Sequence, residues 1–270
     1  MTQPKEGIVD LSVRQMCEAW RLMCRHAPGW RGSSADGVEY IFSGLPVPFF
    51  NVAFVTAPSV SAEALRSSGN AARAWAAETA QVPWFFVVTH DTLEPGVDAT
   101  AILGECGYGA VLPLTGMFAS KVAPVASVPA GLRIDAPASD ADCAAIVDIN
   151  SAAYETDIGP TKVVLGRQSF WNGHTAALGR VDGTPVSSTA VFMIDGYRYV
   201  ALVATEPAHR RHGYADAVMR HALQTAAAAH GERPTILHAT DAGRPIYARM
   251  GYTSISTHTF FMDSAFLGGH

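Results

Sequence analysis

Residues 199–216 read YVALVATEPAHRRHGYAD. The apolar, β-branched run from Val200 to Thr205 predicts a strand that ends at Glu206-Pro207. A short basic loop follows, and a helix opens at Gly213. This order, strand then cationic turn then helix N-terminus, suits a diphosphate. Free backbone N–H groups and the positive end of the helix dipole converge on one spot, and Arg210, Arg211 and His212 add side-chain donors beside it.

Composition bounds what surrounds this turn. The chain has 270 residues, of which 49% are hydrophobic and 16% charged, ample material for one large domain or two ordinary ones. A net charge of −5 argues against non-specific nucleic-acid binding, and the basic loop is local, matching one small anion better than a polyanion. No apolar run approaches the roughly 20 residues of a membrane span. The opening MTQPKEGIVDLSVRQ lacks the regions of a leader peptide, so a cytoplasmic protein with no membrane partner is expected. Cys17, Cys24, Cys106 and Cys143 are widely spaced, which suggests buried thiols rather than a disulfide framework or zinc site. His209-x-x-His212 has no carboxylate or cysteine at ligand spacing to complete it, so no metal is expected.

Working outward, three strands are predicted at 174–181, 186–194 and 197–205, joined by Asp182-Gly183 and Asp195-Gly196, both strong hairpin signals. Leu132–Ile134 reads as a strand, Asp140–Ala153 as a helix and 161–171 as a short second helix. A long helix spans roughly 213–230, with Ala215, Val218, Met219, Ala222 and Leu223 at helical spacing. Pro234 then opens the strand TILHAT, and a short helix leads to Gly251-Tyr252. The first half has the same rhythm. The strand NVAFVTAP ends at Pro58, a helical stretch runs from 61 to 81, Pro83 opens the strand WFFVVTH, and a short helix leads to Gly107-Tyr108. Pro58 to Pro83 is 25 residues and Pro207 to Pro234 is 27, a shared period that points to duplication. Residues 119–131, ASKVAPVASVPAG, read as a linker or a crossing strand. Domains are therefore expected at 1–128 and 129–270. The opening helix, with Val13, Met16, Cys17, Trp20 and Met23, reads as core. Residues 42–51 read as a hairpin packed in the first core, with a wall of an acceptor pocket as the alternative.

Arg210-Arg211-His212-Gly213-Tyr214-Ala215 resembles the Q/R-x-x-G-x-G/A signature of the GNAT family of acyl-CoA N-acyltransferases. The downstream LHATDAGRPIYARMGY resembles that family's short helix ending in Tyr-x-x-x-Gly-Phe/Tyr. The match spans roughly residues 131–263. It implies a mixed α/β (α+β-like) fold of two GNAT-type domains, each a mostly antiparallel mixed sheet flanked by helices, the N-terminal copy degenerate.

The resemblance further implies acetyl-CoA as co-substrate. Arg210, Arg211, His212, Gly213, Tyr214 and Ala215 would hold its pyrophosphate, and the backbone of Val203, Ala204 and Thr205 its pantetheine arm, as an added strand. Thr240, where the family often has Asn, and Tyr247 would also touch the cofactor. Tyr247 would protonate the departing thiolate, although a phenol of pKa near 10 gives a proton to a thiolate near 8.5 only with help from the site. Some members carry a glutamate base in the strand where this chain has Tyr197-Arg198-Tyr199, with no carboxylate. That leaves Glu206 as the candidate base, with Tyr154, Glu155 and Asp157, which follow the first helix of the half, and a water relay as alternatives. His174 reads as structural.

The expected reaction is acetyl transfer to a primary amine by direct attack in a ternary complex. The acceptor is a small molecule or peptide, and the chain a monomer or homodimer. A non-catalytic acyl-CoA-binding or regulatory module, and an acyltransferase using a longer acyl-CoA, are the alternatives. A literal R-x-x-G-x-A at Arg66–Ala71 falls inside a predicted helix, where no N–H is free, so it is not expected to be a second site.

Overall fold

A computed structural model describes residues 7–79, 81–124 and 127–267. Ala80 of the first long helical stretch, residues 125–126 of the expected linker and residues 1–6 of the segment read for a leader lie outside them. Six α-helices and eleven strands occur among the described residues. In chain order they are α1 Ile8–Cys24, β1 Arg31–Ala35, β2 Val38–Phe42, β3 Asn51–Val55, α2 Ala62–Thr79, β4 Phe85–Thr89, α3 Ala99–Glu105, β5 Tyr108–Ala119, β6 Leu132–Asp135, α4 Asp140–Tyr154, β7 Thr175–Val181, β8 Thr184–Ile194, β9 Tyr197–Thr205, α5 Tyr214–His230, β10 Thr235–Ala239, α6 Arg244–Arg249 and β11 Thr253–Asp263. The fold is mixed α/β with mostly antiparallel strands, as expected.

The chain forms two compact units that interleave in sequence. One holds residues up to 117, 238–244 and 254 onward; the other holds 118–237 and 245–253. A duplication boundary near 128 concerns sequence halves, whereas the compact units pass the chain's last strand back to the first.

In the first unit β1, β2 and β3 form an antiparallel meander, and β3 pairs parallel to β4 across the α2 crossover. The C-terminal β11 lies antiparallel to β4, from His258 opposite Thr89 to Met262 opposite Phe85. Phe261 thereby enters a core with Phe42, Leu65, Trp84, Phe86 and Leu103, and Phe260, also fully buried, meets Phe85 edge-on at 5.5 Å. Residues 42–51 are the β2–β3 connection, closed by Asn51. Its amide donates to the carbonyls of Leu45, Val47 and Pro83, so the hairpin reading holds for this segment.

In the second unit β6 to β9 form an antiparallel meander, and β9 pairs parallel to β10 across α5. Both Asp-Gly turns have positive φ at both residues, the conformation that matches strand twist in a two-residue hairpin. The predicted short helix at 161–171 is instead two 3-10 turns, Gly159–Val163 and Gln168–Trp171. Pro160 starts the first, and the glycines at 159 and 166 disfavour a continuous helix. His174 packs edge-on against Phe192 at 5.4 Å, in line with a structural histidine.

Arg198, at the start of β9, is 2% exposed. It donates to the carbonyls of Leu223 and Arg233 and pairs with Glu232, tying β9 to the middle of α5 and to the loop that follows the helix. Removing it strips three acceptors of their donor and leaves a cavity. Arg198→Ala is therefore expected to lower the unfolding free energy by about 3 kcal/mol, read from urea denaturation. A loss below about 0.5 kcal/mol, the size of an ordinary surface change, would contradict this role.

Candidate coenzyme site

The turn between β9 and α5 has the backbone that a diphosphate needs. Arg211 lies at φ 67° and Gly213 at φ 78°. These left-handed residues bend the chain so that consecutive N–H groups face one side. Gly213 is the N-cap of α5 and has no side chain to cap it, and the first hydrogen bond into the helix runs from Ala217 N to Gly213 O. The N–H groups of residues 214, 215 and 216 therefore have no partner among the described residues. The N-termini of α2, α3 and α4, by contrast, are capped by Ser61, Asp98 and Ser139. A Cβ on Gly213 would meet only Pro129 Cγ, at 3.7 Å. Glycine is thus favoured by the positive φ rather than by crowding within the described residues.

The loop side chains are arranged unequally. Arg210 is exposed but folds back along the surface: Nη2 donates to Ala153 O at 2.5 Å and Nε to Thr205 O at 3.4 Å. His212 stacks on Tyr214 at 5.3 Å. Arg211 has no hydrogen-bond partner among the described residues and stands at the rim of the turn.

Beside the turn, β9 leaves its neighbour. The β9–β10 ladder pairs Arg198 with Thr235 and Tyr199 with Ile236, and no later residue of β9 pairs with this unit's part of β10. A bulge lies between: Ser188 faces Ala204 and Ala190 faces Ala201, so Leu202 and Val203 together oppose Thr189, and Leu202 sits at φ 51°. Past the bulge the main-chain groups alternate in direction. Leu202 O and Ala204 O accept from the hydroxyls of Ser188 and Ser187 on β8, and Glu206 N donates to Val186 O. Val203 and Thr205 therefore turn their main-chain groups to the opposite edge, where side chains and not a strand meet them: the Tyr154 hydroxyl donates to Val203 O and Arg210 Nε to Thr205 O. Of the three residues expected to pair with a pantetheine arm, Val203 and Thr205 have the orientation for it and Ala204 does not.

Tyr247, on α6, is half-buried, with its ring 6.1 Å from that of Tyr252. The two phenols differ. Tyr252 shares a hydrogen bond with Thr235 at 2.9 Å, while the Tyr247 hydroxyl has no partner among the described residues. Burial pushes the Tyr247 phenol well above its ordinary range, with Tyr154 and Tyr252 adding to the shift. It stays protonated at any physiological pH and is a better hydrogen-bond donor than acid. Glu206 is half-buried at the end of β9, and its carboxylate meets no cation among the described residues. Thr240, assigned by compactness to the first unit, is used locally, its hydroxyl accepting from Gly243 N at 3.3 Å. Glu155 is the left-handed C-cap of α4, and Asp157 accepts from Gly159 N. Among the described residues no three His, Cys, Asp or Glu side chains are placed to hold a metal ion, and no helix is long and apolar enough to cross a membrane.

Arg66–Ala71 lies within α2, as the sequence implies. A Cβ at Gly69 would fall 2.9 Å from Leu103 Cδ2, and its carbonyl accepts from the Tyr108 hydroxyl at 2.7 Å, so this glycine serves helix packing. A second polar cluster escaped the sequence reading altogether. In the first unit Ser12 Oγ is 2.9 Å from His238 Nε2 and 2.6 Å from Ser256 Oγ; Ser256 Oγ is 2.8 Å from His258 Nε2, and Thr89 Oγ1 is 2.9 Å from His258 Nδ1. A Cβ at Gly116 would fall 2.1 Å from Ser256 Oγ, so β5 can run against the cluster only with glycine there. No sequence pattern links residues more than 200 positions apart.

A helix-mouth turn with left-handed residues, next to a bulged and splayed strand pair, defines the class: a mixed α/β fold of the acetyltransferase type. The family described as the acetyltransferase (GNAT) domain matches residues 196–255, the stretch containing the turn, the bulge and Tyr247. A GCN5-related N-acetyltransferase from Kribbella flavida superposes with a TM-score of 0.70 at 25% identity, over 98% of this chain and 97% of its own. One from Sphaerobacter thermophilus gives 0.57 at 15% identity, over 78% and 72% of the two chains. A tandem GNAT protein from the clavulanic acid biosynthesis pathway gives 0.52 at 14%, over 94% of each chain. Comparison with curated proteins gives no match. Residues 196–255 thus match the acetyltransferase (GNAT) domain, and the chain as a whole is similar in fold to a GCN5-related N-acetyltransferase.

Proposed function

We propose that this protein is an acetyl-CoA-dependent N-acetyltransferase, with one working site per chain, formed by its C-terminal half. The observation that carries the reading is the uncapped N-terminus of α5, reached through left-handed Arg211 and Gly213, next to the edge at Val203 and Thr205 where β9 has left β10. Three free N–H groups and Arg211 neutralise a diphosphate, and Val203 and Thr205 offer the main-chain groups that an amide-bearing arm pairs with. A main-chain N–H on that edge polarises the thioester carbonyl.

An amine attacks the carbonyl carbon directly. Its proton passes to Glu206 or through water, and the C–S bond breaks with CoA leaving as thiolate. Tyr247 donates a hydrogen bond to that thiolate. Its raised pKa makes full proton transfer uphill, so its part is stabilisation of the developing charge. The acceptor is a small amine or a peptide. The repeated order of meander, βαβ crossover, short helix and Gly-Tyr supports a duplicated chain whose N-terminal copy lost its turn, since α2 is capped by its own Ser61.

Acetyl-CoA turnover on an amine panel, followed as free-thiol release, tests this reading. Tyr247→Phe is expected to lower kcat about 10- to 100-fold with little change in CoA affinity. Glu206→Gln is expected to lower kcat/KM by about 100-fold if the carboxylate takes the proton. Tight acetyl-CoA binding with no turnover on any amine would favour instead a non-catalytic acyl-CoA-binding module, the reading that the missing strand carboxylate supports. Preference for a longer acyl-CoA would identify another donor.

A further inference from the structure

The edge of β9 assigned to the pantetheine arm is already covered by side chains of the same unit. Its two outward-facing acceptors are Val203 O and Thr205 O. The first accepts from the Tyr154 hydroxyl at 3.0 Å, and the second from Arg210 Nε at 3.4 Å. Tyr154 is the last residue of α4, and Arg210 also holds Ala153 O, one residue earlier. The end of α4 is therefore fastened to the open edge of β9 by two side chains, in place of a neighbouring strand. Tyr154 is 53% exposed, so its ring is not locked by packing and its hydroxyl can leave. Glu155, which follows, takes the left-handed conformation that sharply ends the helix.

We propose that Tyr154 is a positioning residue that closes the acyl-donor groove, its hydroxyl occupying the Val203 carbonyl until an amide N–H of an acyl-CoA arm replaces it. This rests on the reading of the site as a coenzyme A site. The exchange is one hydrogen bond for another at Val203 O. It frees one of the two ties on α4, so donor binding releases the Tyr154 phenol and the segment after it toward the acceptor. The groove thereby stays satisfied when empty.

The test compares two ligands by calorimetry on the intact chain: coenzyme A, and adenosine 3′,5′-bisphosphate, which lacks the pantetheine arm. Tyr154→Phe keeps the ring and removes the competing donor. It is expected to tighten coenzyme A about fivefold, the worth of one neutral hydrogen bond, and to leave the bisphosphate unchanged. Weaker or unchanged coenzyme A binding by the variant, or an equal shift for both ligands, overturns the proposal while leaving the site in place. Failure of the unsubstituted chain to bind coenzyme A overturns the site itself. Tyr154→Ala provides a second check, because its coenzyme A affinity should again exceed that of the unsubstituted chain.

Discussion

Gly213→Val is expected to weaken coenzyme A binding by at least a factor of about one hundred, the loss of roughly two hydrogen bonds to a charged group at about 1.5–3 kcal/mol each. The residue sits at φ 78° and ψ 7°. Valine is strongly disfavoured there, because its branched side chain crowds the following carbonyl. The turn would relax toward negative φ, rotating the N–H groups at the mouth of α5 away from a common focus. Surroundings do not amplify the effect, since among the described residues beyond its chain neighbours only Pro129 Cγ comes within 4 Å of the added Cβ, at 3.7 Å. The fold should therefore survive with a stability cost of about 1–2 kcal/mol, and the affinity loss can be read on folded protein by calorimetry. A loss under threefold in a folded variant would place the diphosphate elsewhere.

The second large effect is a loss of stability in mild acid, centred on the first unit. His258 is 2% exposed, its ring held between Thr89 and Ser256 with Ser12 beyond, and burial pulls its pKa down to about 3. His238, whose ring lies 4.8 Å from that of His258, is also held well below its ordinary value, by burial and then by His258. The charged groups facing His258 are Asp91, which favours its protonation and partly offsets burial, and His90, which opposes it by a smaller amount. Both histidines bind a proton less readily folded than unfolded. Their contribution to stability is therefore complete above the unfolded pKa near 6.5 and is lost as pH falls toward the folded values. The expected slope is about 1.4 kcal/mol per pH unit for His258 below pH 6, and up to twice that with His238.

At pH 5 the unit should be about 2–4 kcal/mol less stable than at pH 7.5. Asp140 and Asp142, held below the usual carboxylate range by Gln168 N and Arg167 and by Arg180 respectively, lose their contribution only at still lower pH. Denaturant unfolding at several pH values checks the slope. His258→Gln should flatten it by about half, and an unchanged slope in that variant would show that other groups carry the acid sensitivity.

The parts of this fold that could be read in the sequence are those fixed by local chemistry. Strand 197–205 matches to the residue because an Asp-Gly turn starts it and Glu206-Pro207 stops it. The helix after Gly213 is one residue off, within the usual uncertainty of helix ends. A third such turn, Asp36-Gly37 between β1 and β2, carries the same signal and went unread. What could not be read depends on distant partners. Residues 253–263 alternate only weakly, and nothing in them announces that β11 will pair with β4, some 170 positions away. In the sequence Arg198 marks only a stretch without a carboxylate, whereas its burial depends on Leu223 and Glu232, 25 and 34 positions on.

At the candidate site the order of strand, turn and helix was legible, and so were Gly213 and Tyr247. The hold of Arg210 on Ala153 and the hydroxyl of Tyr154 on Val203 depend on where α4 ends in space. The bulge at Leu202 is equally hidden, because a leucine at positive φ leaves no mark in the sequence. It nevertheless decides which of Val203, Ala204 and Thr205 face the open edge.

A crystal structure of the chain with acetyl-CoA bound tests the central claim most directly. The account predicts one coenzyme per chain, with its diphosphate on the N–H groups of residues 211–216 and its pantetheine amide on Val203 O in place of the Tyr154 hydroxyl. The sulfur should lie within hydrogen-bonding reach of Tyr247. A diphosphate bound elsewhere, or a second coenzyme near Arg66–Ala71, would contradict it.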